Sequence, residues 1–539
     1  MKRFPGTCVS PSGQFTYGIH KPSYTAINLR QNDYLFELGK DPDLMPVNNQ
    51  TNFPQGDLDI SAASWLFEIP NAFPFMGATF ILKSSADAAV QKANPFARRK
   101  NLHYESEIQR LISEVPLDII PHPMLLALAK TTTDPDILSR LATLSCGFDY
   151  DQETNVPKGL RYRKSEKGEL RPDILDHRLF ELVSNNPFLS DLFKRLMVLT
   201  PGAQGTSPII GEYHTDTHIW EYLRQNSYIP WGHYAANMAQ DAVRYQIGTL
   251  TPTDMTGLRH LYYQRVYMQL AISIGLNIPV RKRPLTSQEL EDLRLTLVER
   301  IQSFKDSGRP LPYNATIWGQ NFGFDLSPTG YRLNASHQQI HQQFALVPPF
   351  TPGIDAGLHR EDFATYVPGD LISRFCRDFQ KETASAFFPA YLQALRDNRR
   401  LDNRQDRTNK LIFYEDDNVI LFVPKAQRSQ GEIQIMTKPE CGNIVEADGS
   451  LRASLDGAIL SALRVLACLG AQMITCTELS KRFDDPRLGQ RLLYCFLPKH
   501  PQSPGGFTEA LQRWVVVHYP EDFAEACGRA LEEIRKQEV

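Results

Sequence analysis

The sequence predicts an α+β protein, with strand-rich stretches towards both ends and a long helical block between them. Three observations lead there. Short apolar runs rich in aromatic and β-branched residues, bounded by Pro, Gly and Asn, lie at 65–84, 315–324 and 411–437. Apolar residues recur at helical spacing through most of 97–310. Two regions, 60–95 plus 311–350 and 411–519, share a strands-then-helix layout. We therefore expect two antiparallel-sheet halves, 1–350 and 411–539, with a large helical insertion (97–310) in the first half and a helical connector at 351–410.

The elements follow in order. "WLFEIPNAFPFMGATFILKS" (65–84) reads as two strands around a turn, with Asn71, Pro74 and Gly77 breaking the run. "YESEIQRLISEV", "PDILSRLATL", "DHRLFELVSNNPFLSDLFKRLMVL", "AANMAQDAVRYQIG", "MTGLRHLYYQRVYMQLAISIGL" and "SQELEDLRLTLVERIQSFKD" each carry apolar residues at helical spacing, several behind a Thr, Ser or Asp suited to an N-cap. Strand character returns at "ATIWGQNFGF" (315–324). A helical passage at 361–397 leads into "RDNRRLDNRQDRTNK" (396–410), whose charge density predicts a solvated connector. Then come strands at "KLIFYEDDNVILFVPKA" and "EIQIMTK", a long helix at "RASLDGAILSALRVLACLGA", strands at "RLLYCFLPKH" and "RWVVVHYP", and a closing helix.

Composition narrows the function. With 58 basic and 61 acidic residues the net charge is −3, so nothing favours nucleic acid or an anionic membrane as a bulk partner. The opening "MKRFPGTCVSPSGQF" has no apolar run behind its basic residues, and no window has the apolar length of a membrane span. Eight scattered cysteines without a Cys-x-x-Cys pair fit reduced thiols in a cytoplasm. There is no G-x-x-x-x-G-K-[ST] or G-x-G-x-x-G to cradle a phosphate.

The most informative stretch is "YRLNASHQQIHQQFALVP" (331–348). As a helix it would set His337 and His341 on one face, in the outline of H-E-x-x-H, but Gln338 stands where a general base is needed. Turn residues upstream ("FDLSPTG") and a Pro pair downstream favour a strand. Alternation then points His337, Gln339, His341 and Gln343 to one side, a row of imidazoles and amides that can attack and hold a phosphate. A polar strand face open to solvent is the plain alternative.

"NASHQQIHQQ" resembles the active-site strand of the galactose-1-phosphate uridylyltransferase (GalT) and dinucleoside-polyphosphate phosphorylase branch of the histidine-triad (HIT-like) superfamily. The resemblance sets Ser336 on the motif serine, His341 on the nucleophilic second histidine and Gln343 on the motif glutamine. Gln339 replaces the first histidine, and Asn334 stands where Gly is usual. "GQNFGF" is similar to the family's Asn-x-Gly strand, which places Asn321 and Gly323. "NAFPF" is similar to its base- and ribose-holding segment, which places Asn71, Phe73 and Pro74. The resemblance implies two HIT-like (GalT-like) halves and a cytoplasmic nucleotidyltransferase or phosphorylase. It would act on a nucleotide sugar or dinucleoside polyphosphate through a nucleotidyl-histidine, with phosphate or a sugar phosphate as acceptor. Monomer and homodimer both fit two halves in one chain. The catalytic set would be His341, Gln343 and Ser336, with Asn71, Phe73, Asn321, Gln339 and His337 binding substrate. Lys425 could close over a polyphosphate, and Arg513 could meet a phosphate near "QRWVVVHYP". No cofactor is expected. The family's zinc is not expected either, since Gln339 replaces a ligand and Leu493 and Cys495 stand where a second histidine-rich strand would have histidines.

Three other readings remain. His214, Asp216 and His218 in "EYHTDTHIWEY" alternate as a metal trio could. "RHLYYQRVY" (259–267) is either a stacking, phosphate-binding surface or a solvated amphipathic helix. The missing first histidine also suits a non-catalytic nucleotide-binding or scaffold protein of the same fold.

Overall fold

A seven-stranded antiparallel sheet organises the chain. In the computed structural model the described residues are 6–21, 24–53, 55–60, 64–90, 115–164, 170–184, 186, 188–197, 247–278, 283–323, 341–351, 362–486, 489–499 and 506–538. The fold is α+β with antiparallel sheets, as the sequence predicts. The N-terminal part holds β1 (Gly18–His20), β2 (Tyr24–Ala26), β3 (Glu37–Lys40), β4 (Pro46–Asn48), β5 (Leu58–Ile60), β6 (Leu66–Pro70), β7 (Ala78–Leu82) and α1 (Lys83–Val90). Strands β6 and β7 are the expected pair, with Asn71, Pro74 and Gly77 in the turn between them.

The expected helical block is more varied than its periodicity suggests. It begins with α2 (His122–Thr131) and α3 (Pro135–Ser145). The short strands β8 (Phe148–Tyr150), β9 (Pro157–Leu160), β10 (Tyr162–Lys164) and β11 (Leu170–Pro172) follow as two hairpins, then α4 (His177–Ser184) and α5 (Asp191–Met197). Gly and Pro punctuation in 147–172 interrupts the helical pattern there. This lobe packs around Leu128, Leu138, Leu141, Phe180 and Val183, and its core cluster takes every member from 115–197.

Two longer helices, α6 (Pro252–Ser273) and α7 (Ser287–Asp306), belong to the main body instead. Both start in a capping box. Thr251 accepts from the Asp254 amide and Thr286 from that of Glu289, while each acid reaches back to its cap amide.

The rest of the chain runs β12 (Ala315–Gly323), β13 (His341–Val347), β14 (Phe350–Thr351), β15 (Phe363–Ala364), α8 (Pro368–Thr383), α9 (Phe387–Arg396), β16 (Ile412–Glu415), β17 (Val419–Phe422), β18 (Ile433–Thr437), α10 (Gly449–Cys468), β19 (Met473–Leu479), β20 (Leu493–Pro498), α11 (Gly506–Leu511), β21 (Arg513–Val516) and α12 (Pro520–Glu538). The large sheet has the order β13-β12-β19-β20-β18-β17-β16. Its inner strands β17 and β18 are buried at every position, because helices cover one face and a second layer covers the other. On one side α6, α7, α10 and α12 pack on Trp318, Leu421, Ile435 and Tyr494. On the other, α8, α9 and the β6–β7 turn pack on Phe422, Met436 and Leu493.

A four-stranded sheet, order β1-β6-β7-β21, forms the second layer, antiparallel except where β21 runs parallel to β7. The two strand pairs of the expected first half, β6–β7 and β12–β13, therefore lie in different sheets. The larger sheet joins β12 and β13 to strands of 411–519.

The run 396–410 is largely exposed, as a connector should be, but a buried ionic clasp is set into it. Asn398, Arg400 and Leu401 are at most 2% exposed. Arg400 binds Asp402 and Asp522 at 2.8 Å each and donates to the Thr408 carbonyl. Its fork geometry satisfies both carboxylates at once, which lets this one cation of a charged stretch be buried.

Candidate functional site

The region around position 341 is built by three adjacent strands. β12 pairs along its length with β13 and, at its far end, with β19. Its last residue, Gly323, has φ +74°, and a Cβ there would lie 2.1 Å from the Gln472 carbonyl oxygen, so only glycine lets β12 end against the start of β19. Position 341 opens β13 directly opposite Asn321, and Gln343 lies opposite Gly319. The strand reading of 341–347 therefore holds over the helical one.

Pleating splits these strands into two faces. Trp318, Phe322 and Phe344 turn towards α6 and the core behind it. Gly319, Asn321, Gln343, Thr475 and Thr477 turn to the opposite face, where Gln343 is exposed and the others half-buried. Thr475 Oγ1 donates to Asn321 Oδ1 at 2.8 Å, which fixes the carboxamide beside position 341. The face thus offers amide and hydroxyl groups around a glycine. These can donate to phosphoryl or sugar oxygens without adding charge. Neither threonine stands out in the sequence reading, which passes over β19 altogether. Its signal is the alternation in "MITCTEL", with Ile474 and Cys476 buried between the two threonines.

A buried polar cage backs the three strands. Arg259 on α6 is fully buried. Its guanidinium donates from Nε to Asp456 Oδ1 at 3.0 Å and from Nη2 to the Tyr263 and Tyr494 hydroxyls at 2.8 and 2.7 Å. It also stands 4.7 Å from the Trp318 ring and 5.1 Å from that of Tyr262. Tyr262 donates to Glu478 Oε1 at 3.0 Å and packs 5.4 Å from the Phe344 ring of β13. Burial pushes the Asp456 carboxyl up to about 6, against the opposing pull of Arg259, and raises Glu478 in the same direction. "RHLYYQRVY" is thus neither a solvated face nor a binding surface. Its Arg259, Tyr262 and Tyr263 bolt α6 to the sheet that carries β13.

The remaining expected site residues are scattered. Ser336, His337 and Gln339 lie outside the described residues, as do His214, Asp216 and His218. Asn71 is buried in the β6–β7 turn, accepting from the Phe73 amide and donating to the Ala426 carbonyl. Phe73 is 2% exposed among Phe375, Phe387, Phe388 and Tyr391, where it fills a core. Lys425 does not close over an open site. It is buried against Glu521, the Asn398 side chain and the Arg399 carbonyl, and burial lowers its pKa despite that carboxylate. Arg428, the next cation along, is tied to Glu432 at 2.8 Å. Arg513 is exposed on β21, in the smaller sheet. Leu493 and Cys495 are buried, and burial raises the Cys495 thiol to about 11 against the opposing pull of Arg428.

Among the described residues no group of three His, Cys, Asp or Glu is placed to hold a metal ion, and no helix is long and apolar enough to cross a membrane. None of the eight cysteines is in a disulfide.

No protein-family model matches the chain, and no curated protein matches it. Solved structures similar to it include a uridylyltransferase variant, at 14% identity and TM-score 0.31 over 47% of this chain and 73% of that one. A GalT-like protein from Arabidopsis thaliana is similar at 12% identity and TM-score 0.30, over 45% of this chain and 69% of that one. An ADP-glucose phosphorylase from the same plant, solved with ADP-glucose, is similar at 14% identity and TM-score 0.30, over 45% of this chain and 66% of that one.

Proposed function

We propose that the protein is a nucleotidyltransferase or phosphorylase that works through a covalent nucleotidyl-histidine at His341, on a nucleotide sugar or a dinucleoside polyphosphate. The observation that carries this reading is the pairing of position 341 with Asn321 at the edge of a polar, partly open sheet face. It sets 341–343, the end of "NASHQQIHQQ", beside 319–321 of "GQNFGF" on neighbouring strands. In this proposal 1–350 and 411–539 are the two halves, and both contribute strands to the large sheet.

In the first step an imidazole nitrogen of His341 attacks the α-phosphorus. The bond from that phosphorus to the bridging oxygen breaks, and a sugar phosphate or nucleotide leaves with the electron pair. In the second step an oxygen of phosphate or of a sugar phosphate attacks the same phosphorus, and the P–N bond breaks to restore the imidazole. Gln343 and Ser336 donate to the non-bridging oxygens, each worth about 3 kcal/mol where charge builds up. Asn321, held by Thr475, orients the start of β13.

The test is incubation with labelled UDP-glucose, GDP-hexose, ADP-glucose or diadenosine tetraphosphate, followed by a quench. A label that is acid-labile, base-stable and lost in His341→Ala is expected. Label that persists in His341→Ala rules out the assigned nucleophile. A second reading, a non-catalytic nucleotide-binding or scaffold protein, draws on the engagement of both loop cations, Lys425 and Arg428, with carboxylates. Binding of a donor without any covalent label favours it.

A further inference from the structure

The N-terminal 24–60 segment poses a physical problem that the chemistry above does not touch. It is a long excursion between β1 and β6, which are neighbours in the four-stranded sheet with His20 opposite Leu66. Within it β2 pairs with β5 and β3 with β4, making an arm of two small two-stranded sheets. Polar links hold the arm in shape. Thr25 donates to Asp59 at 2.6 Å, the Asn28 amide to Asp57 at 2.7 Å and the Phe36 amide to Asn49 at 2.8 Å, and Arg30 stands 4.2 Å over the Phe53 ring. Yet from 27 to 51 and from 55 to 59 no residue is buried. Leu29, Tyr34, Phe36, Leu38, Leu44 and Met45 are each 60–89% exposed. Two-stranded sheets with no apolar face covered are marginal in water.

The sheet from which the arm springs has a matching irregularity. Its inner face packs through Phe67, Ile69, Ile81 and Val516 into the core. An outer face left to solvent should be polar. Here the outward positions include Leu66, Phe80, Leu82 and Val515, with Val517 just beyond, and Leu82, Val515 and Val517 are 40–56% exposed.

We infer that the arm 24–60 of one copy lies over the outer face of the β1-β6-β7-β21 sheet of a second copy, and the reverse, in a two-fold dimer. A second copy is the fitting occupant because both apolar surfaces belong to the same chain and adjoin at the β1–β6 connection. A two-fold exchange covers both at once and closes without leaving a surface to propagate. The size also fits. Arm and face together offer on the order of 1,000 Å² of exposed apolar side chain, comparable to the ~800 Å² per partner of a stable interface.

Sedimentation equilibrium of the full chain at roughly micromolar concentrations tests this. The wild type should have the mass of two chains. Val515→Lys and the arm variant Tyr34→Ser/Phe36→Ser should each weaken the dimer roughly 30-fold or more, the scale of losing a hot-spot side chain. Mixing the two variants should restore a heterodimer, since one arm–face contact of the two stays intact. A benzophenone side chain at position 36 of the otherwise unaltered protein should crosslink to 80–82 or 515–517 of another copy. A monomeric wild type, a dimer indifferent to both variants, or crosslinks confined within one chain overturns the inference. None of these outcomes bears on His341.

Discussion

Asp456→Asn is the most decisive perturbation of the polar cage behind the candidate site. Asp456 is 17% exposed, and its carboxyl titrates at about 6 in the folded protein against an ordinary 3.8. Burial causes the rise, opposed by Arg259 and by the hydrogen bonds from Tyr263 and Arg259. Between pH 4 and 6 the unfolded chain has lost this proton while the folded chain keeps it, so stability falls as pH rises. The slope is about 1.4 kcal/mol per pH unit for one proton, which over some two units makes about 3 kcal/mol. That contribution is complete below pH 4 and gone above the folded pKa. Asn cannot titrate, yet its Oδ1 still accepts from Arg259 Nε and the Tyr263 hydroxyl, so the geometry should survive. Urea denaturation of both proteins at pH 4, 5, 6 and 7 reads the effect. The wild type's stability relative to the variant should drop by about 3 kcal/mol from pH 4 to pH 7. A difference that stays constant across this range refutes the protonation assigned to the cage.

Two further predictions concern the frame. Lys425→Met should destabilise the protein by about 3–5 kcal/mol in denaturant, because it leaves Glu521 buried without its cation. Adding Glu521→Leu should recover most of that loss, whereas a Lys425 that served substrate alone would give no such rescue. Gly323→Ala should cost at least about 2 kcal/mol through backbone strain at positive φ and collision with the Gln472 carbonyl. Its thermal melting point should fall by several degrees, and an unchanged melt would show that β12 can end without glycine.

The sequence made the long, capped and strongly periodic elements legible. "SQELEDLRLTLVERIQSFKD" became α7 from its first residue to its last, because Thr286 and Glu289 declare the start. "WLFEIPNAFPFMGATFILKS" gave both of its strands. What escaped the reading depends on partners distant in the chain. The charge of Arg400 predicts solvent until Asp522, more than a hundred residues later, folds over it. Arg259 and its tyrosines read as a wet helix face because Asp456, Glu478 and Tyr494 are invisible to local periodicity. Phe73 matches a base-holding motif, yet α8 and α9 supply the rings that surround it. Around position 341, the strand character of β13 was legible from the turn and Pro residues that flank it, and Asn321 was singled out by the family resemblance alone, while Thr475 and Thr477 were not legible, since which strand lies beside β12 is a matter of topology rather than pattern.

The parallel pairing of β21 with β7 has a consequence for biosynthesis. Residues 78–82 leave the ribosome long before 513–516 are made. At typical elongation rates of ~5–20 residues per second, β7 waits ~20–90 s for its neighbour. Throughout that interval a β-branched and aromatic edge, "ATFIL", is unpaired on the nascent chain, an open template for strands of other molecules. Yield of folded protein should therefore be set by how well that edge is shielded during translation, more than by the stability of the finished sheet.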